Sequence, residues 1–289
     1  MVKKKQLKTV LDNLYAGRSQ THLANDPLSF CRRYDTPEDR EIVGLIASSF
    51  AYGNVKIILR TLETIFGRMG PSPRRFVEEF EPERGLALFA GFKHRFNDAR
   101  DLCALLLAAR TMLDEADSIG EFFLGCYDRD ADDITPSLIE FSAVLLAMDY
   151  SAVFGVRAIP ADSYFSFFFP SPASGSACKR LCMYLRWMVR PDDGIDLGLW
   201  PGVPPAKLVV PVDAHIRRIA RYLGLTRRNQ ADWRMAREIT AALRKLDLAD
   251  PVKYDFSLCH LGISEGCDGK DRLRCTACPI TEICGADPA

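Results

Sequence analysis

Four cysteines stand within eighteen residues near the end of the chain, in GCDGKDRLRCTACPITEIC: Cys267, Cys275, Cys278 and Cys284, spaced C-x7-C-x2-C-x5-C. Four thiolates that must meet at one metal centre are best supplied by short loops, which lose little entropy on closing. A structural zinc site more often uses two C-x2-C knuckles. Only one such pair is present, so the spacing favours an iron-sulfur cluster, with zinc as the alternative. Upstream, Asp213 precedes the run AHIRRIARYLGL, in which Ile216, Ile219, Ala220 and Leu223 share a face while Arg217, Arg218 and Arg221 lie off it. The simplest role for Asp213 there is a helix cap. Lys179, in GSACKRLCMYLRWMV, stands near a helix start beside Arg180. Desolvation and a like charge could free its amine for nucleophilic attack; the plain alternative is a solvated lysine.

The elements that would position these groups read as helices almost throughout, so the expected class is all-α. Asp26-Pro27 and Thr36-Pro37 each place a capping side chain before a proline suited to the first helical position. Ser118 with Glu121 has the capping-box pattern, and Gly53, Gly70 and Gly224 stand where helices should stop. The periodicity predicts helices near 6–16, 26–34, 36–52, 54–69, 72–80, 98–116, 137–154, 175–190, 213–223, 231–246 and 251–261. PSPASGS at 170–176 breaks the pattern between an aromatic run and the next helix, giving helix, irregular turn, helix. RPDDGIDLGLWPGVPPAK at 190–207, rich in Gly, Pro and Asp, reads as a long connection between domains.

Charge and composition narrow the function classes. The 289 residues carry 38 Lys and Arg against 38 Asp and Glu. Within 171–245, however, fourteen basic residues face six acidic ones, a net of +8 that could supply a phosphate-binding face. Neither a leader at the start nor an apolar run long enough to span a membrane stands out, so a cytoplasmic location is expected. In that compartment Cys31, Cys103, Cys126, Cys178, Cys182 and Cys259 should be reduced, small core residues.

The cysteine tail resembles the C-terminal cluster loop of the endonuclease III and adenine glycosylase branch of the helix-hairpin-helix DNA glycosylase superfamily. Its four cysteines hold a [4Fe-4S] cluster, and the first gap here is one residue longer. The segment V-D-x-H-x-x-R, Val212 to Arg218, is similar to that superfamily's segment bearing the essential carboxylate. The resemblance assigns that role to Asp213 and a packing role to His215. Lys179 takes the position of the lysine that attacks the sugar C1′ in bifunctional members. Of the usual hairpin L-P-G-x-G-x-x-T-A only Gly175 is kept, with Ala177 at the second glycine. The 34 residues from 179 to 213 exceed the spacing in endonuclease III. Archaeal 8-oxoguanine glycosylases share both departures. With DPLSF, AYGNVKIILR, KRLCMYLRWMVR and DLGLW, the whole chain looks like an uncharacterised bacterial branch of the superfamily.

The resemblance implies a two-domain fold: a six-helix barrel over 35–190 ending in a degenerate helix-hairpin-helix, and a second helical domain from 1–34 plus 191–289 with the cluster. The implied activity is DNA glycosylase with Schiff-base (AP lyase) chemistry by a monomer. The implied partner is double-stranded DNA holding a damaged base or abasic site. Gly175, Arg180, Arg217, Lys270, Arg272 and Arg274 would meet DNA, and Tyr52, Trp187 or Trp200 would stack on the extruded base. The competing readings are a non-catalytic DNA-binding protein on the same scaffold and a zinc-stabilised helical interaction module.

Overall fold

A computed structural model describes residues 2–17, 20–263 and 265–286. Helix accounts for 60% of the chain, and the two strands hold two residues each, so the all-α class holds. In order, the elements are α1 (Val2–Ala16), α2 (Gln20–Leu23), α3 (Pro37–Phe50), α4 (Val55–Met69), α5 (Pro73–Glu78) and α6 (Pro82–Leu88). Next come an antiparallel hairpin, β1 (Lys93–His94) and β2 (Asn97–Asp98), then α7 (Ala99–Ala116), α8 (Ile119–Gly125), α9 (Thr135–Ala147) and α10 (Ser151–Phe154). The chain ends through α11 (Lys179–Val189), α12 (Ala214–Tyr222), α13 (Trp233–Arg244), α14 (Asp255–Ile263) and α15 (Arg272–Ala277). Among the described residues no helix is long and apolar enough to cross a membrane.

The helix starts follow local chemistry. Asp26 Oδ1 accepts from Leu28 N at 2.9 Å, Thr36 Oγ1 from Asp39 N at 3.2 Å, and Ser118 Oγ from Glu121 N at 3.0 Å. Gly53, Gly70 and Gly224 all have positive φ, which only glycine adopts at no steric cost. Three elements depart from the periodicity. Residues 27–33 form a 3-10 rather than an α-helix. The helix expected over 137–154 breaks at Met148–Tyr150: Met148 turns extended, Asp149 caps Ser151 N, and the buried Tyr150 hydroxyl donates to Leu145 O. The helix expected from 175 begins at Lys179. Before it come a 3-10 turn (Pro172–Ser174), Gly175 at φ 79° and Cys178 at φ 47°.

One connected apolar core runs from Leu11 to Ile280, and α11 passes through it with Arg180 to Val189 all buried. Gly44 lets α3 lie against this helix, since a Cβ there would sit 2.5 Å from Met188 Cε. Three arginines are buried along this helix and at its C-terminal cap, Arg180, Arg186 and Arg190, and the last two are paired with carboxylates. Arg186 pairs with Asp196 (3.1 Å) and Asp255, and Arg190 pairs with Asp196, Asp250 (2.9 Å) and Asp193 (3.1 Å). Asp196 is fully buried.

The segment 190–207 is therefore no loose connection. Its Asp192 binds Arg32 at 2.8 Å, and its Leu197 and Trp200 amides bond the Trp187 and Met188 carbonyls at the end of α11, each at 2.8 Å. Ile195, Leu197, Trp200 and Val203 join the core. With the buried Arg180, three of the fourteen cations between 171 and 245 are thus internal and cannot contribute to a surface face.

Asp196→Ala should take from both guanidiniums the buried carboxylate they share, leaving Arg186 with Asp255 and Arg190 with Asp193 and Asp250, and destabilise the fold by about 3 kcal/mol, read as a lower denaturant midpoint at unchanged slope. A midpoint within error of the parent chain would show that the network carries no stability.

Candidate active site and cysteine tail

A cleft of about 970 Å³ opens between the N-terminus of α11, the N-terminus of α12, the end of α3 and the inner face of α14. Both Lys179 and Asp213 line it, as do Gly175, Arg180 and Tyr52. Lys179 is the first residue of α11, half-buried, with Nζ donating to Ala51 O at the end of α3 (3.2 Å). Asp213 is the α12 cap: Oδ1 accepts from His215 N and Ile216 N, each at 2.8 Å. Its other oxygen, Oδ2, accepts from Cys259 Sγ at 3.5 Å. The carboxylate is thus held by one oxygen and leaves the second at the cleft. His215 packs as expected. Its ring fills the space that a Cβ on Gly262 would need, which lets α12 lie close to α14, and Arg218 bonds its Nδ1 at 3.2 Å.

Sequence reading missed Asp255, which lines the same cleft from α14 while 3% exposed. Its Oδ2 pairs with Arg186, and its Oδ1 has no hydrogen-bond partner among the described residues. Burial pushes this carboxyl up to about 6 against the pull of Arg186, whose charge is shared with Asp196; Asp213 raises it further and Lys179 lowers it. Cys259, expected in the core, instead stands at the cleft beside Asp213, its thiol raised well above the usual range by burial and then by Asp213 and Asp255. A pattern search finds neither residue, because an aspartate opening a helix reads as a cap and a lone cysteine as filler.

Arg180 lines the cleft with its guanidinium turned inward, donating to Ser49 O (3.0 Å) and Phe167 O. With no carboxylate partner among the described residues, burial pulls it down to about 10. Trp187 and Trp200 are not at the cleft. Trp187 is fully buried, and Trp200 stacks on Phe123 while donating to the buried Glu41 at 2.6 Å, so neither can meet an extruded base. Arg217 points outward on α12, bonding Asn229 O at 3.4 Å.

The four tail cysteines are partly buried and unpaired by disulfides. Burial, then the nearby Cys267 and Cys284, raises Cys275; burial, with the same two thiols contributing, raises Cys278. The charges of Cys267 and Cys284 are thus felt at both Cys275 and Cys278. Among the described residues no three His, Cys, Asp or Glu side chains close around a single metal ion. The tail is anchored to α12: Arg218 donates to Cys267 O, and Gly285 N donates to Tyr222 O at 2.8 Å. Lys270, Arg272 and Arg274 are exposed, and Arg274 bonds Asp271 (3.1 Å) and Gly266 O (3.1 Å).

A family model described as "Protein of unknown function (DUF2400)" matches residues 26–264. The chain belongs to the DUF2400 family. The match takes in Lys179, Asp213 and Asp255 and every other lining residue of the cleft but Asn25, and the four-cysteine tail follows it. No curated protein and no solved structure matches the chain.

Two outcomes test the site. Asp213→Ala should cost about 1 kcal/mol through loss of the cap, whereas Asp213→Asn, which can still accept both amides, should stay within a few tenths; equal losses in urea melts would refute the capping role. Asp255 binds its proton more tightly folded than unfolded, so its contribution to stability is full below pH 3.8 and is lost as pH rises through about 6. The melting temperature of the parent chain minus that of Asp255→Asn should therefore fall across this window. A difference independent of pH would mean that Asp255 is not raised.

Proposed function

We propose that the chain is a DNA base-excision glycosylase with lyase chemistry, acting on a nucleotide drawn into the cleft. The observation that carries this reading is the meeting of Lys179 and Asp213, 34 residues apart in sequence, on the walls of one cleft. A nucleophile and a carboxylate so placed suit attack at a sugar carbon. The Lys179 nitrogen bonds C1′ as the bond from C1′ to the base breaks, and the base leaves with the electron pair and acquires a proton. Asp213 Oδ2 faces the cationic sugar that develops. Loss of a proton from the attacking nitrogen and opening of the sugar ring give the Schiff base that permits strand cleavage.

The resting contact of Lys179 with Ala51 O must be exchanged for the substrate. Tyr52 remains at the cleft, and Gly175 lines it at φ 79°, with its own N–H donating to Pro172 O at 2.9 Å. Cys267, Cys275, Cys278 and Cys284 would hold the [4Fe-4S] cluster, which supplies a rigid anchor for the tail and its exposed Lys270 and Arg272 rather than base chemistry. The helix-hairpin-helix glycosylase fold belongs to the same proposal. The 3-10 turn at Pro172–Ser174, in place of a first hairpin helix, favours the non-catalytic DNA-binding alternative.

Borohydride trapping on a panel of duplexes bearing damaged bases or an abasic site separates the two. The parent chain should give a covalent complex that Lys179→Ala abolishes, and Asp213→Asn should slow base release by about a hundredfold or more. No complex on any substrate, or undiminished trapping by Lys179→Ala, would leave the non-catalytic reading. Purified anaerobically, the protein should be brown with iron bound; a colourless protein with stoichiometric zinc would exclude the cluster.

A further inference from the structure

The hairpin β1–β2 carries side chains that neither the core nor the cleft chemistry uses. Its base is fixed. His94 and Asn97 are buried, His94 contacts Thr61 Oγ1 at 2.8 Å and Tyr52 O at 3.1 Å, and Asn97 donates to Asp101 at 3.0 Å and Tyr164 O at 3.1 Å. Its two-residue tip, Arg95-Phe96, is different. Arg95 adopts φ 53°, at the first position of a tight hairpin turn, where glycine is the residue of least strain. The tip therefore keeps a large cation at a conformational cost.

Phe96 is 45% exposed and stacks on Tyr164, 48% exposed, with centroids 5.3 Å apart and planes 24° apart. Phe167, 39% exposed, meets Phe96 edge-on and lines the cleft. The Arg95 guanidinium lies 5.3 Å from the Phe96 centroid, and the Arg180 guanidinium lies 3.8 Å over Phe167. Neither arginine has a carboxylate partner among the described residues. A continuous run of rings and planar cations thus leads from the surface to the cleft mouth, and an exposed aromatic cluster of this kind marks a binding surface.

We propose that Arg95, Phe96, Tyr164 and Phe167 form a stacking platform for unpaired nucleobases, so that the chain prefers a single strand or a locally opened duplex to continuous duplex. The inference rests on the DNA-cleft reading above. Exposed rings beside the Arg95 guanidinium suit bases, whose faces stack on aromatics irrespective of sequence while a phosphate meets the cation. An apolar protein partner would gain nothing from the unneutralised Arg95 charge.

The test is equilibrium binding of the full chain to lesion-free DNA as a single strand, as a duplex with a short central bubble, and as a continuous duplex, at one fixed salt. A single-stranded RNA of the same sequence completes the set. The bubble should bind about tenfold or more tighter than the duplex. Phe96→Ala should remove most of that difference and leave duplex affinity within twofold, while Phe96→Tyr retains it. Arg95→Gly, which relieves the turn, should raise the melting temperature yet weaken bubble binding, and 2-aminopurine in the bubble should be quenched by the parent chain but not by Phe96→Ala. Equal affinity for bubble and duplex, an equal loss on both with Phe96→Ala, or preference for the RNA overturns the platform. If no DNA of any form binds the parent chain, the DNA reading itself falls.

Discussion

The structure depends on two arginines one turn apart in the middle of the core. Arg186 lies on α11 and Arg190 caps its C-terminus, and Asp196 stands between them with almost no solvent to share the charge. A guanidinium stranded in such a place costs several kcal/mol, so the network is stable only when every acid is in position. Asp196 and Asp193 come from the segment after α11, Asp255 from the start of α14 and Asp250 from the turn before it; Tyr15 of α1 bonds the same Arg190 at 3.2 Å. The network thereby fixes where α1, α11, α14 and residues 191–200 meet. The cleft floor is a by-product of that meeting, because Asp255 takes part in both.

This arrangement explains why the candidate chemistry stands where it does. Lys179 begins the helix that carries Arg186 and is capped by Arg190, so its position is set by charges two and three turns further along. Asp213 is held independently, by capping α12, and the opposite half of α12 anchors the cysteine tail through Arg218 and Tyr222. One short helix thus connects the cleft carboxylate to the four thiols. The placements of α12 and of the tail therefore rest on the same contacts.

Much of the scaffold was legible because it rests on local chemistry. The Asp26, Thr36 and Ser118 caps, the stops at Gly70 and Gly224, and the starts of α7 and α12 each follow from a few adjacent residues satisfying helix-end amides or carbonyls. The break at Met148–Tyr150 was not, since it is made by a buried tyrosine hydroxyl reaching back to Leu145 and interrupts no periodicity. Trp187 and Trp200 misled for a related reason. Sequence shows that an indole is present, while its contact with Glu41 and Phe123 depends on how α3, α8 and residues 195–200 pack.

What the sequence by itself determined is the helical class, the helix ends, the cysteine spacing and the presence of a lysine and an aspartate each at a helix start, all properties of neighbouring residues. What only the tertiary structure decided is which of these share a cleft, that Asp255 and Cys259 join them, and that Arg186 and Arg190 are internal. Those outcomes turn on desolvation and on contacts between segments tens to hundreds of residues apart. A charge looks the same in sequence whether it faces water or a buried carboxylate; packing alone distinguishes the two.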